Sequence, residues 1–168
     1  MPKSSIFSKP KFRIIMEEQG LAYQWALELH SYLAYVALAV LFLAVANAIM
    51  GLVGNRMFAA LGKDFRLSLF ALIVCHLQLL VGLVLFFLSP NGLNAIQELG
   101  MGGMNSAVRL LAVEHPFVNI LAVILITIGW SRHKKFMDGK KKFKSIAIFY
   151  GLGLVLILSR IPWGQWLN

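Results

Sequence analysis

Two long stretches without a charged side chain limit what this chain can fold into more than any other feature. No Asp, Glu, Lys or Arg occurs between Glu28 and Arg56, or between Arg66 and Glu98. A helix needs about 20 mostly apolar residues to cross a hydrocarbon core of about 30 Å. Apolar residues make up 59% of the chain, more than a soluble domain of this size can bury. The sequence therefore excludes a soluble enzyme domain and a disordered tail, and it predicts an integral membrane protein.

Four apolar segments predict four membrane-spanning helices. The predicted spans are about 29–53, 67–88, 108–131 and 143–161. Four such helices joined by short loops predict an all-α, integral membrane four-helix bundle with up-down-up-down topology. The predicted division is an amino-terminal tail or interfacial segment, residues 1–26, and a transmembrane domain, residues 27–168.

The basic residues are divided unevenly between the two ends of the predicted spans. Ten of the 16 lysines and arginines fall in the first and third loops. By the positive-inside rule, these loops are expected in the cytoplasm and both termini on the outer, periplasmic side. Because the basic residues border apolar segments, anionic lipid is a better partner for them than nucleic acid.

Small and polar residues recur every three or four positions in three spans, and such residues mark the faces through which membrane helices pack. The seam of the first span is His30, Ala34, Ala37, Leu41, Ala44, Ala48 and Gly51. The seam of the second is Ser68, Ala71, Cys75, Gln78, Gly82 and Ser89. The seam of the third is Ala112, His115, Asn119, Ala122, Ile126, Gly129 and His133. His76 lies about 130° from the second seam, at about 100° per residue, and is expected to face a different neighbour.

Polar groups inside a bilayer are costly and are functional candidates for that reason. The candidates are His30, His76, His115, Glu114, Arg109 and Arg160. Two imidazoles on facing helices can hold a haem iron within a bundle. Judged by depth in the membrane, the preferred pair of iron ligands is His76 with His115, and the second choice is His30 with His115.

The charged candidates have expected roles around such a haem. Arg109 and Arg160 are expected to meet the propionates, because a guanidinium matches a carboxylate in a fork geometry. Glu114 is expected to accept a hydrogen bond from a nearby imidazole N–H and fix its tautomer. His133 lies among lysines and is expected to be solvated, so one bis-histidine haem is predicted.

Other interpretations of the same residues stay open. Intramembrane His, Asn and Gln also bond across helix interfaces, which suits a cofactor-free accessory or structural subunit that packs against a larger membrane complex. Copper is a less favoured alternative, based on Met101 and Met104, because thioethers suit Cu(I). Proton or ion conduction along Glu114 and the histidines is a further alternative.

Four stretches of the sequence carry a family resemblance. They are LHSYLAY (29–35), CHLQLLVGLVLFFLSP (75–90), AVEHPFVNILAVILITIGWSRHKK (112–135) and FYGLGLVLILSRIPW (149–163). Over residues 22 to 168 the chain resembles a family of short four-span bacterial inner-membrane proteins that are loosely described as cytochrome b-like. The resemblance implies a b-cytochrome-like bundle whose motif histidines are His30, His76 and His115, with Glu114 and Arg160 in the same motifs.

The function expected from the sequence is electron transport. The chain is predicted to be a b-type electron carrier, or a haem-bearing subunit of a respiratory or other membrane complex, with haem b as its cofactor. It is not expected to be an enzyme on its own. Its expected partners are the lipid bilayer, other membrane subunits or a second copy of itself, and a quinone, with no role for nucleic acid.

Overall fold

The computed structural model describes residues 10–59 and 62–166, with side chains from residue 20 onward. The described residues contain helices and no strand. The helices are α1 (Pro10–Val53), α2 (Lys63–Leu88), α3 (Leu93–Gly103), α4 (Ser106–Arg109), α5 (His115–His133), α6 (Gly139–Ser159) and α7 (Trp163–Trp166), with a π-helical segment at Leu110–Glu114. Residues 1–9 of the predicted tail lie outside the described residues, and the rest of that tail is part of α1.

Four helical stretches are long and apolar enough to cross a membrane, which indicates a multi-pass membrane protein. They are Gly20–Val53, Lys63–Leu88, Ser106–His133 and Gly139–Ser159. Each predicted span is present, and each helical stretch begins earlier than the hydropathy pattern indicated. Hydropathy marks the part of a helix that matches the lipid, whereas backbone hydrogen bonding continues into the polar flanking residues.

Each of the four long helices packs against two of the others, so that the contacts form a ring, which is compatible with a four-helix bundle. α1 packs against α2 and α6, and α5 packs against the same two helices. Three glycines allow close approach, because an added Cβ would meet a neighbouring side chain. These are Gly51 against Phe143, Gly129 against Phe149 and Gly153 against Ile126.

The predicted seams are largely buried between the helices. The buried members are Ala37, Leu41, Ala44, Ala48, Gly51, Ser68, Ala71, Cys75, Ala112, Ala122, Ile126, Gly129 and His133. Many large apolar side chains outside the seams are exposed, as expected for residues that contact lipid. The small-residue pattern therefore identified the packing faces correctly.

A polar network around Asp64 ties α1 to the start of α2. The Asp64 side chain is 1% exposed. Its Oδ1 accepts from Asn47 Nδ2 at 2.8 Å, and its Oδ2 accepts from the backbone N–H of Ala59 at 3.0 Å. Arg56 lies 3.5 Å from Asp64 Oδ1 and also donates to Asn47 Oδ1 at 3.0 Å. This network fixes the connection between the first two spans at the opposite end from the candidate site.

Candidate functional site

A π-helical turn sets the position of His115 at the start of α5. The segment Leu110–Glu114 forms the π-turn, and the backbone N–H of His115 donates to the carbonyl oxygen of Leu110. Pro116 follows at the next position. A proline has no N–H and collides with the carbonyl four residues earlier, so a regular α-helical turn cannot pass through it without distortion. Turns of this kind occur frequently at functional sites.

His115 faces His30 of α1 across the space between the helices. Their ring centroids are 6.1 Å apart and the ring planes are inclined at 74°. Two imidazoles that bind one metal atom from opposite sides have centroids about 6 Å apart, because each metal–nitrogen bond is about 2 Å long. The separation of the two rings therefore fits a shared metal atom.

The backbone of the fourth span fixes the orientation of the His115 ring. His115 Nδ1 donates to the carbonyl oxygen of Arg160 at 2.7 Å. A carbonyl can only accept, so Nδ1 carries the proton and Nε2 presents its lone pair. Histidines that bind metals usually donate their other N–H in this way, which fixes the ring and raises its basicity. His115 therefore has the tautomer that a metal ligand requires.

A cavity of about 540 Å³ lies around the two rings. Its lining is contributed mainly by α1, α2, α5 and the carboxyl-terminal residues, and most of it is apolar. Polar and small residues in the lining include His30, Ser31, Gln78, Gly82, His115 and Asn119. A mostly apolar cavity of this size with a few convergent polar groups is typical of a site for a small molecule or cofactor.

Gln78 and Gly82 contact His30, although the sequence did not single them out as site residues. Gln78 Nε2 donates to the His30 carbonyl oxygen at 3.0 Å and lies 3.2 Å from the ring nitrogen Nδ1. A Cβ on Gly82 would be 2.9 Å from His30 Cε1. The available signal was the cost of an amide inside a bilayer, the same signal that identified the histidines.

The structure separates His76 from His115, the pair that depth in the membrane favoured. His76 Nδ1 donates to the Leu72 carbonyl oxygen at 2.8 Å, and its Nε2 lies 3.3 Å from Thr127 Oγ1. Thr127 lies 12 residues after His115, which is about 18 Å along an α-helix. The two rings therefore lie far apart in this structure. Counting about 1.5 Å per residue from the cytoplasmic end of each helix gave depths of roughly 14 and 23 Å for the two rings, and such a count does not show which neighbour each ring faces.

Glu114 binds the two arginines rather than an imidazole. Its Oε1 lies 3.1 Å from Arg109 Nε, and its Oε2 lies 3.4 Å from Arg160 Nε. The expected role of Glu114, to accept the N–H of an imidazole, is instead taken by the carbonyl oxygen of Arg160. The two guanidiniums and one carboxylate carry a net charge of about +1 beside the cavity, although these three residues are not among those that line it.

His133 is buried, which corrects the expectation that it is solvated. It is 2% exposed, and its Nδ1 donates to the Trp130 carbonyl oxygen at 2.6 Å. Its ring packs beside those of Trp130, Phe58 and Phe65. The basic residues around it in sequence suggested a solvated position, whereas its place in the seam of the third span correctly indicated a packing face.

The two methionines considered for copper lie in different environments. Met101 is 61% exposed, whereas Met104 is buried in a cluster with Ala95 and Ala112. Among the residues whose side chains the structure describes, no group of three or more His, Cys, Asp or Glu could hold a metal ion. A haem iron held by two histidines would not form such a group.

Comparison of the chain with protein-family models, with curated proteins and with solved structures gives no match.

Proposed function

We propose that this chain is a b-type haem protein of a bacterial inner membrane, with the haem iron held by His30 and His115. The observation that carries the proposal is the 6.1 Å separation of the two ring centroids inside a mostly apolar cavity. Haem, when bound, accepts and releases one electron at a time. The chain would therefore carry electrons to or from a quinone or a partner subunit, and need not be an enzyme on its own.

Residues that line the cavity or lie near its lining residues in the sequence have distinct roles in this proposal. The Arg160 carbonyl oxygen orients the His115 ring and keeps the Nε2 lone pair available. Arg109 and Arg160 are 51% and 45% exposed at the side chain. They retain guanidinium N–H groups beyond those that face Glu114, and these suit the two carboxylates of a haem. Glu114 limits the positive charge at this position and holds the two guanidiniums close together.

The proposal includes the arrangement of the chain in the membrane. The four spans would cross in up-down-up-down order, with both termini and the cavity toward the periplasmic side. The basis for this orientation is the concentration of lysine and arginine in the first and third loops. Among these, Lys140, Lys141 and Lys144 are exposed at the start of α6, where they would face the anionic headgroups of the inner leaflet.

Absorption spectra of the purified full chain and of single histidine variants test the proposal. We expect the wild-type chain to show a Soret band and a sharp α-band on reduction. His30→Ala and His115→Ala should lose both bands, whereas His76→Ala should keep them, because His76 bonds to Leu72 and Thr127 outside the cavity. A colourless wild-type protein, purified from cells supplied with haem, would overturn the proposal.

A cofactor-free accessory subunit is the second candidate, and one observation favours it. Intramembrane polar groups away from the cavity bond within the chain, including His76 with Thr127 and Tyr150 with Ser68. This is how polar residues serve helix packing alone. A colourless chain that co-purifies in a fixed ratio with other membrane proteins would support this candidate against the haem protein.

A further inference from the structure

The amide of Gln78 is positioned against the ring face of His30. Its Nε2 is 3.2 Å from Nδ1 and 3.3 Å from Nε2 of the ring. A donor that lies along the in-plane lone pair of one ring nitrogen is much farther from the other, so nearly equal distances place the amide over the ring. The contact is therefore of the N–H···π type, and the Gln78 amide does not lie along the in-plane direction of either ring nitrogen.

The same amide also holds the backbone of His30. Gln78 Nε2 donates to the His30 carbonyl oxygen at 3.0 Å. One side chain thus contacts both the main chain and the ring of His30, and it couples α2 to the rotation of that ring. This double contact restricts the ring more than a single hydrogen bond would.

Gly82 supplies the space that the His30 ring occupies. A Cβ at this position would be 2.9 Å from Cε1 and 3.4 Å from Nδ1 of His30. Gly82 lies four residues after Gln78, so the two residues are neighbours on one face of α2. An alanine here would force the ring to move or turn.

Helix packing alone does not account for Gln78. Its Oε1 is the buried side-chain polar atom that has no hydrogen-bond partner among the described side chains. A buried acceptor without a partner destabilises a protein, and an apolar side chain of similar shape at this position would avoid that cost. A role for the N–H group toward His30 explains why an amide is present.

From these contacts we propose that Gln78 and Gly82 form a seat, meaning a pair of residues that fixes the orientation of the His30 ring and its strength as an electron donor to the iron. This inference rests on the proposed haem. Both are positioning residues, because they act through His30. An N–H over the ring face withdraws electron density from the imidazole, so His30 is a weaker donor to iron than an unconstrained histidine. The seat therefore raises the reduction potential of the haem and holds the planes of the His30 and His115 rings 74° apart.

The midpoint potential and the electron paramagnetic resonance spectrum of the haem-loaded full chain test the seat. Nearly perpendicular axial imidazoles give a strongly anisotropic low-spin ferric signal, and more parallel rings give a less anisotropic one. We expect Gln78→Leu to lower the potential by about 30 mV, a roughly threefold change in the ratio of oxidised to reduced protein at about 59 mV per tenfold. Gly82→Ala should change the low-spin signal by turning the ring.

Matched variants separate the seat from general effects on the helices. Gln78→Glu keeps the shape of the side chain without its NH₂ group and should shift the potential in the same direction as leucine. Gly151→Ala adds a Cβ at an ordinary contact distance of 3.9 Å from Val45 Cγ1, and Thr127→Val alters α5 outside the cavity. Both controls should keep the wild-type potential and signal.

The outcomes distinguish this inference from the proposed function. A wild-type chain without haem overturns the proposed function and the seat together. Haem that depends on His30 and His115, with wild-type potentials and signals in Gln78→Leu, Gln78→Glu and Gly82→Ala, overturns the seat and leaves the function standing. Loss of haem from a Gln78 variant whose thermal unfolding is unchanged supports the seat.

Discussion

The hydroxyl group of Tyr150 donates a hydrogen bond to the carbonyl oxygen of Ser68 at 2.9 Å, and this bond joins α6 to α2. Tyr150 is fully buried. The Ser68 hydroxyl donates in turn to the carbonyl oxygen of Asp64 at 2.8 Å. A chain of hydrogen bonds therefore runs from the fourth span to the start of the second.

Tyr150→Phe should destabilise the protein by about 1 kcal/mol, because a buried hydrogen bond inside a membrane protein contributes about that much. Unfolding of the purified chain in detergent, by heat or by increasing denaturant, measures the change. Tyr32→Phe is the control, since Tyr32 is 71% exposed, and it should unfold as the wild type does. Equal stability of the two variants would show that the Tyr150 bond contributes nothing.

Asp64→Ala should cost about 2–3 kcal/mol, since it removes a buried acceptor that receives charged and neutral donors. The substitution leaves the backbone N–H of Ala59 and the amide of Asn47 without their acceptor. Glu98→Ala removes an exposed carboxylate and should change the free energy of unfolding by less than about 0.5 kcal/mol. Similar losses in both variants would argue against a structural role for the Asp64 network.

Gly153→Ala should destabilise the contact between α5 and α6 by about 1–3 kcal/mol through overpacking. The added Cβ would lie 2.8 Å from Ile126 Cγ1 and 3.2 Å from the Ala122 carbonyl oxygen. Gly151→Ala, on the same helix, meets its nearest atom at 3.9 Å and should be neutral or slightly stabilising. Thermal unfolding of the two variants side by side checks the difference, and the opposite order would contradict the close packing.

His76→Leu should lower stability without changing the absorption spectrum. The substitution removes the hydrogen bond that His76 Nδ1 donates to the Leu72 carbonyl oxygen at 2.8 Å and the contact of Nε2 with Thr127 Oγ1 at 3.3 Å, together worth about 0.5–1.5 kcal/mol inside a membrane. The haem content of the variant, measured per mole of protein, should match that of the wild type. Loss of the α-band in this variant would indicate that His76 is an iron ligand.

Cysteine labelling in intact cells tests the proposed orientation. The chain has one cysteine, Cys75, which is buried. With Cys75 replaced by alanine, a cysteine at exposed Asn94 should react with an impermeant thiol reagent in intact cells. A cysteine at exposed Lys141 should react only after lysis, because the proposed orientation has the third loop in the cytoplasm. Labelling at position 141 but not at position 94 in intact cells would show that the topology is the opposite of the proposed one.

The packing of the helices was more predictable than the candidate site. The seams of Ala44, Ala71 and Ala122 could be found in the sequence because small residues have one consistent use between membrane helices. The presence of four long apolar helices was also predictable, since hydropathy and bilayer thickness are directly related. Both predictions depend on properties that each segment has by itself.

The pairing of His30 with His115 depends on more than one segment. Which rings face each other is set by how α1, α2 and α5 pack around the cavity. For His133 the sequence contained two conflicting indications, its place in the seam of the third span and its basic neighbours. The contacts with Phe58 and Phe65 from distant parts of the chain show that it is buried.

The π-turn before His115 also accounts for the ion pair between Arg109 and Glu114. These residues are five positions apart, and on a regular α-helix they would point about 140° away from each other at 100° per residue. The wider π-turn brings the side chains of Arg109 and Glu114 onto one side of the helix. Deletion of one residue between them would leave Arg109 and Glu114 four positions apart, about 40° from each other on a regular α-helix. The ion pair should therefore survive if the π-turn were shortened to an α-helical turn.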